Sequence, residues 1–512
     1  MSKNLYVKFI FILLLSISVL ASNSLYAQQQ SKGYADDNGK VIASVGKLKI
    51  TAGEFRKGYD YGPAFYKRER NSKDVYLKFL INEKLLALDG YNRKVDTVKQ
   101  VRDMFRAFHD DLITGELFND EIFNKIKYTK PEVDSVITEK QLEVFIKWLY
   151  TPDKDSAMIY MADMKSGVTF DSLFKKECTD SSVLNDRQLK TNFYELKLKN
   201  PIIAKILDTL KAGNVSLPIH VQDGWYLVKL ENISRNLIAT ESEEDNLRSE
   251  AVEAVKMRKM EAASGKYVID LMEKAKPVIR KEEFGILLSY IGNYILPKKK
   301  FDDWKMADKL DSTLASLKVK DKSGIPALTL VDLKNGSVSL ADLLNWYWTR
   351  DQYIKLNEND FTSYSISLKE MIWRMVRDKL LVDEANKRNL SHRASVKEQG
   401  RWWKDKIVFS YVKNELINSV MLENKEIAPN EKDPPSQSNA DKLSAELSKK
   451  ILHKINWLKQ REKISINKDI LNSIKVTDEN DPKAIELYTV KKGGLIPRTP
   501  YPTIDNDWRS WE

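Results

Sequence analysis

Cysteine is almost absent: Cys178 is alone in 512 residues. No internal disulfide can form, so stability must come from ordinary cores. Histidine is nearly as scarce, and His109, His220, His392 and His453 are far apart and show no metal-ligand spacing. No Walker loop, dinucleotide fingerprint or nucleophile elbow occurs. Neither a metal nor a cofactor is therefore expected. Cys178 reads as a small core or surface residue rather than a nucleophile, and His220 as a surface group. Long apolar runs are missing after the first, "FIFILLLSISVLA", which follows Lys3 and Lys8. That run is too short for a confident membrane span and is followed by small residues, the pattern of a signal peptide over 1–27. Cleavage after Ala27 fits, Ala21 is a rival, and an uncleaved anchor is the minor alternative. No cysteine follows the run, which argues against a lipid anchor.

Charge of one sign is in slight excess. The net charge of +11 falls to +9 once Lys3 and Lys8 are removed. A basic exported protein has little occasion to meet nucleic acid. The excess suits acidic polypeptides or anionic lipid surfaces, or simply a solvated basic face. At 42% apolar residues the chain can bury cores, and its length predicts three or four modules.

The organisation includes a duplication. "VIASVGKLKITAGEFRKGY" (Val41–Tyr59) predicts a strand pair, a Thr51 cap with Glu54 three residues on, and a helix. "LVDLKNGSVSLADLLNWYW" repeats it, with Ser339 as cap. "LINEKLLALDGYNRKV" is echoed by "MVRDKLLVDEANKRNL", so that Lys84-Leu85-Leu86 fall on Lys379-Leu380-Leu381 and Arg93 on Arg388. The helix from Val98 matches the one from Ser395. A basic amphipathic helix and short strand at 250–284 resembles 444–471. The expected modules are therefore 28–130 and 237–290 as one helical unit, a helical bridge at 291–324, and a second unit of 325–420 and 444–490. A linker covers 421–443, and an irregular aromatic tail, 491–512, reads as a segment that docks on a partner.

Between the halves of the first unit lies an insert, 131–236. It runs strand "LEVFIKWLYT", helices with Gly167 and Gly213 at their stops, and a closing hairpin turned by Asp223-Gly224. Strands first and last with helices between predict a small α+β sheet domain. "SGVTFDSLF" and "LKAGNVSLPIHVQDGWYLVKL" resemble the parvulin family of peptidyl-prolyl isomerases, with Gly213, Val215, Ser216, Pro218, Gly224, Lys229 and Leu230 in register. A helical module interrupted by such a domain is similar to the SurA-type periplasmic foldases, although a second helical module departs from that layout. The resemblance implies an α+β chain: a parvulin-like antiparallel sheet inserted in a mainly helical module, plus a second helical module.

The same resemblance implies site residues. Parvulins place two histidines on adjacent strands at a pocket floor, beside a Cys or Asp. Here those positions fall on Lys147, Tyr226 and Asp180. Leu198 and Ile202 or Ile203 fall near the apolar proline slot, and Trp225 adjoins it. Rotation of an X–Pro bond has a barrier of about 18–20 kcal/mol and needs no nucleophile or cofactor. With both histidines replaced, three readings follow: a chaperone with residual or no isomerase activity, a true isomerase using a Tyr-Lys-Asp floor, or a scaffold subunit of an envelope complex contacting its partner through the tail. The implied partners are unfolded or proline-containing polypeptides, outer-membrane proteins among them. The aromatic clusters at Asn345–Tyr353 and Arg401–Lys406 read as helix-packing core or as a client groove.

Overall fold

The computed structural model describes residues 37–178, 186–221, 223–237, 240–317, 322–351, 354–425, 437–477 and 501–511. The signal segment and Asp180 lie outside them. The chain is α+β, mainly helical with three small antiparallel sheets. Among the described residues no helix is long and apolar enough to cross a membrane.

The first repeat supplies β1 (Val41–Val45), β2 (Leu48–Thr51), α1 (Ala52–Asp60), α2 (Ser72–Asn92) and α3 (Lys99–Glu121). The insert supplies α4 (Lys130–Gln141), β3 (Leu142–Thr151), α5 (Lys154–Lys165), α6 (Phe170–Glu177), β4 (Gln188–Asn192), α7 (Phe193–Lys199), α8 (Pro201–Leu207), β5 (Ile219–Val221) and β6 (Gly224–Arg235). Then come α9 (Glu241–Ala275), β7 (Val278–Ile279), α10 (Lys281–Ile295) and α11 (Met306–Ser316). The second repeat is β8 (Thr329–Leu333), β9 (Gly336–Ser339), α12 (Leu340–Trp348), α13 (Phe361–Lys387) and α14 (Ala394–Glu423). Finally α15 (Gln437–Arg461) leads into β10 (Ile464–Ile466). The chain divides into two compact units, one of residues up to Lys125 and from Glu261 on, the other Ile126–Met260.

In the larger unit the repeats are built alike. Thr51 accepts a hydrogen bond from the Glu54 N–H at 3.2 Å, and Ser339 one from the Asp342 N–H at 3.1 Å, each satisfying an orphan donor of the helix start. Ser339 completes the expected box. Glu54 does not, because its carboxylate turns to Lys84 at 2.5 Å. Lys94 and Asn389, equivalent positions after α2 and α13, both hold left-handed backbone, with φ of 60° and 56°. Arg93 pairs with Asp89 at 3.0 Å and Glu415 at 2.8 Å, and its repeat partner Arg388 pairs with Glu384 at 2.8 Å and with Glu121.

The closing strands depart from expectation. The sequence assigns 237–290 to the first helical unit and 444–490 to the second. Instead β10 pairs with β1 (Ala43 opposite Ile466), and β7 pairs with β8 (Ile279 opposite Val331). Each hairpin thus takes its third strand from the end of the other repeat. Resemblance between segments says nothing about which sheet edge each will reach. The 35 residues of α9 carry the chain about 50 Å before β7 begins.

Two cores result. One packs β1, β2, α1 and α2 against Val408, Phe409 and Val412 of α14 and Ile451, Ile455 and Leu458 of α15. The C-terminal Ile504, Trp508 and Trp511 belong to this core and are almost fully buried. The described part of the tail, 501–511, therefore docks on its own chain, where the sequence reading expected a segment presented to a partner. The other core packs α10 and α11 against β8, β9, α12 and α13.

The smaller unit is built on a four-stranded antiparallel sheet in the order β4-β3-β6-β5. Helices α7 and α8 cover one face, through Phe193, Leu196, Ile203, Ala204 and Leu207. Helices α5 and α6 cover the other, through Ala157, Phe170, Leu173 and Phe174. The turn at Asp223-Gly224 forms as expected. Gly224 has a φ of +156°, and a Cβ there would lie 2.7 Å from the Thr151 carbonyl oxygen.

Candidate peptide-binding site

Successive residues of a strand point to opposite faces, so register decides which side chains meet. On β3 and β6, Tyr150 stands opposite Tyr226 and Lys147 opposite Lys229. Val144, Ile146, Trp148, Tyr226, Val228 and Leu230 share the face covered by α7 and α8. Leu149, Trp225 and Leu227 share the face covered by α5 and α6, and the Lys147 ammonium lies 5.6 Å from the Phe174 ring there. Lys147 and Tyr226 are therefore on opposite faces and form no common floor, contrary to the sequence reading.

Each has found partners the sequence did not reveal. Lys147 meets Glu231 at 3.1 Å, and Lys229 bridges Glu231 at 3.1 Å and Asp171 at 2.8 Å. Lys147 is thus satisfied by Glu231. The Tyr226 hydroxyl donates to Asp223 Oδ2 at 2.6 Å, and the Tyr150 hydroxyl donates to the Asp223 carbonyl at 2.8 Å. The two phenol rings meet edge to face with centroids 5.2 Å apart, and the Arg187 guanidinium lies 5.0 Å from the Tyr150 ring. Burial first, then the hydrogen bond and charge of Asp223, push the Tyr226 phenol up to about 12. It stays protonated across the physiological range, and its proton is committed to Asp223.

The other expected residues separate as well. Ile203 is buried in the core under α8 and lines no open slot. Leu198 and Ile202 are 55% and 48% exposed. Trp225 points away from Tyr226, with His220 stacked 4.8 Å away and the Lys154 ammonium 5.8 Å from its ring. Strand alternation alone would have paired Tyr226 with Trp148 or Tyr150 rather than Lys147, given the register. That register, unbroken from Ile146 opposite Leu230 to Thr151 opposite Trp225, is set by pairing between two strands, which no single strand reveals.

Tyr150, Tyr226, Arg187 and Asp223 form a half-buried aromatic shelf at one end of the sheet. Its half-buried groups are two phenol rings and a guanidinium; Asp223 is exposed. No nucleophile stands among the shelf's described residues, and both hydroxyls are committed to Asp223.

Of the aromatic clusters, Trp402 and Tyr347 are core. Trp403 packs on Phe108, and Trp346 donates from Nε1 to Asp378 at 3.0 Å. Trp348 is exposed, and Tyr353 lies outside the described residues.

No protein-family model and no curated protein matches the chain. Among solved structures it is similar to the peptidylprolyl isomerase PrsA of Bacillus anthracis, at 17% identity over 41% of this chain and 94% of that one, with a TM-score of 0.22. PrsA of Bacillus cereus gives 16% identity over 55% and 99%, with a TM-score of 0.24. The foldase protein PrsA of Streptococcus pneumoniae gives 15% over 44% and 94%, with a TM-score of 0.21. These likenesses are loose.

Proposed function

We propose that the chain is an exported foldase of the parvulin type that holds unfolded envelope polypeptides, outer-membrane proteins among them, with little or no isomerase activity of its own. The observation that carries this reading is the way the motif residues serve the insert. The segment after Gly213 zips onto β6: the Gly213 N–H donates to the Leu230 carbonyl at 2.6 Å, the Leu230 N–H to the Asn214 carbonyl at 3.1 Å, and the Ser216 N–H to the Val228 carbonyl at 2.8 Å. The buried Ser216 hydroxyl accepts from the Val228 N–H at 3.0 Å. The parvulin-like residues that build the sheet are thus in use.

The residues that would do chemistry are not arranged for it. Catalysis of amide rotation needs polar groups aimed at the twisted amide in a dry slot. Tyr226 is engaged with Asp223, and Lys147 is on the far face with Glu231. A peptide-holding surface survives such changes, because aromatic faces bind extended chains without specific proton transfer.

Two assays test the reading. In a protease-coupled assay on a proline peptide, the full chain should leave the uncatalysed rate within a few-fold. In a refolding assay, it should suppress aggregation of an unfolded outer-membrane barrel at stoichiometric amounts. Strong acceleration that disappears in Tyr226→Phe would overturn the first part, and no effect on aggregation would overturn the second.

A further inference from the structure

The two repeats of the larger unit enclose equivalent grooves, and among the described residues only one is filled. In the first groove the C-terminal tail runs across α2 and α14. The Asp505 N–H and the Trp508 Nε1 both donate to Glu83 Oε1, at 2.9 and 3.0 Å. The Asp505 carboxylate pairs with Lys406, and with Lys413 at 2.8 Å. Tyr501 lies between Tyr61 and Trp402, 5.3 and 6.3 Å from their ring centres. The space left over is about 20 Å³.

The offset that relates Lys84 to Lys379 carries Trp402 back to Ala107, Asp405 to Asp110, Lys406 to Asp111 and Phe409 to Thr114. These residues of α3 line the second groove with α12 and α13. Its cavity is about 460 Å³, within the range of about 300–1,000 Å³ usual for ligand pockets. Smaller side chains on α3 open it, and no described residue of the chain takes the place that the tail takes in its twin.

The chemistry of the open groove is inverted. Six aspartates line it (Asp103, Asp110, Asp111, Asp342, Asp378 and Asp383) against four basic side chains, on a chain whose net charge is +11. In the filled groove Lys84 closes a buried triad with Glu54 at 2.5 Å and Asp405 at 2.6 Å. In the open one the equivalent Lys379 turns to Asp383 at 2.9 Å. Asp110, the counterpart of Asp405, makes no ion pair among the described residues. Burial, with Asp111 beside it, pushes its carboxyl up to about 6.

A second group points to an occupant. Arg350 lines the cavity at 5% exposure, with one terminal nitrogen 3.3 Å from Asp111. Its Nε–H is buried with no acceptor. A buried donor left unmade costs about 1–3 kcal/mol. Arg350 and Arg106 act on Asp110 from a distance but do not outweigh its burial, so the groove offers a carboxylate with no ion pair among the described residues and a donor without an acceptor. An extended peptide bearing a basic side chain supplies both, its cation to Asp110 and a backbone carbonyl to Arg350.

We propose that this open groove binds an extended polypeptide segment through a lysine or arginine side chain, in the place that the tail occupies in the twin groove. The site is distinct from the insert, and the proposal does not rest on the insert's activity.

The test uses the full chain and fluorescence anisotropy of a labelled peptide. The probe is residues 501–508 carrying Asp505→Arg, which brings a cation to the end of the groove where Asp111 replaces Lys406 and within reach of the neighbouring Asp110. Its control is the unchanged peptide. The expected result is saturable binding of the probe and at least tenfold weaker binding of the control. Binding should also fall at least tenfold in Ala107→Trp, which fills the cavity as Trp402 fills its twin, and in Asp110→Asn, which removes the charge. Circular dichroism confirms that each variant is folded, and Thr114→Phe replaces Ala107→Trp if the latter is not. Absence of binding, equal affinity for both peptides, or affinity unchanged by the cavity-filling and charge-removing variants would each overturn the proposal. Loss of aggregation suppression in Ala107→Trp would identify client chains as the natural occupant. Retention of that suppression alongside loss of probe binding would leave the site standing with a different basic partner.

Discussion

Phe108 and Trp403 pack with ring centroids 4.3 Å apart and planes tilted by 35°, and they occupy the same position of the two repeats. Helices α3 and α14 thus meet at equivalent residues, which places the repeats face to face rather than end to end. Such a contact is used once by both halves. Trp403→Ala should lower stability by about 1–3 kcal/mol, since an aromatic pair adds to the area it buries. Phe108→Ala and the double variant should cost about the same as each other, because either single change already removes the pair. Thermal unfolding of the three variants measures this.

The triad at Lys84 and its unclosed counterpart give a contrast. Burial works against the charged form of Lys84, but Asp405 and Glu54 outweigh it and hold the ammonium protonated. Removing one member of a buried ion network costs about 3–5 kcal/mol, because the others are left charged and unpaired. Lys84→Ala should therefore cost that much. Lys379→Ala, whose partner Asp383 is partly exposed, should cost under about 1 kcal/mol. Equal losses would show that the two grooves are more alike than their geometry.

Asp110 makes stability depend on pH. Its folded carboxyl, near 6, lies above the ordinary value of 3.8, so the folded state binds its proton more tightly than the unfolded state. Its contribution to stability is therefore lost as pH rises from about 4 to about 6. Asp110→Asn should be more stable than the natural chain above pH 6, by about 1–2 kcal/mol after solvent screening. The difference should vanish below pH 4. Melting curves at pH 4, 5, 6 and 7.5 decide it.

Deleting residues 501–512 should destabilise the larger unit strongly. It uncovers Phe79, which stacks on Trp508 with centroids 5.5 Å apart, and strips the buried Glu83 of two donors. The expected result is a lower melting temperature and binding of a hydrophobic dye. A pull-down with this truncation would therefore report unfolding as much as loss of a partner.

Much of the larger unit was legible. Caps at Thr51 and Ser339 and the recurrence of Arg93 at Arg388 repeat at fixed spacing, because local helix chemistry is written in neighbouring residues. The insert's element order was legible for the same reason. Three features were not. The faces of Lys147 and Tyr226 depend on a register set by pairing between two strands far apart in the sequence, and it is written in neither. The role of Trp508 depends on Glu83, far away in the sequence. The emptiness of one groove depends on Ala107 and Thr114 standing where the other repeat has Trp402 and Phe409, and small residues give no signal until the twin is seen.

Exchange of the closing strands has a cost in time. Ser44 of β1 meets Ser465 of β10 across 421 positions, with hydroxyls 2.7 Å apart. Contacts so remote in sequence slow folding, since a long loop must close before they form. The first hairpin cannot complete its sheet until nearly the whole polypeptide is available. Neither repeat could be cut out as an independent piece without stripping its hairpin of the third strand.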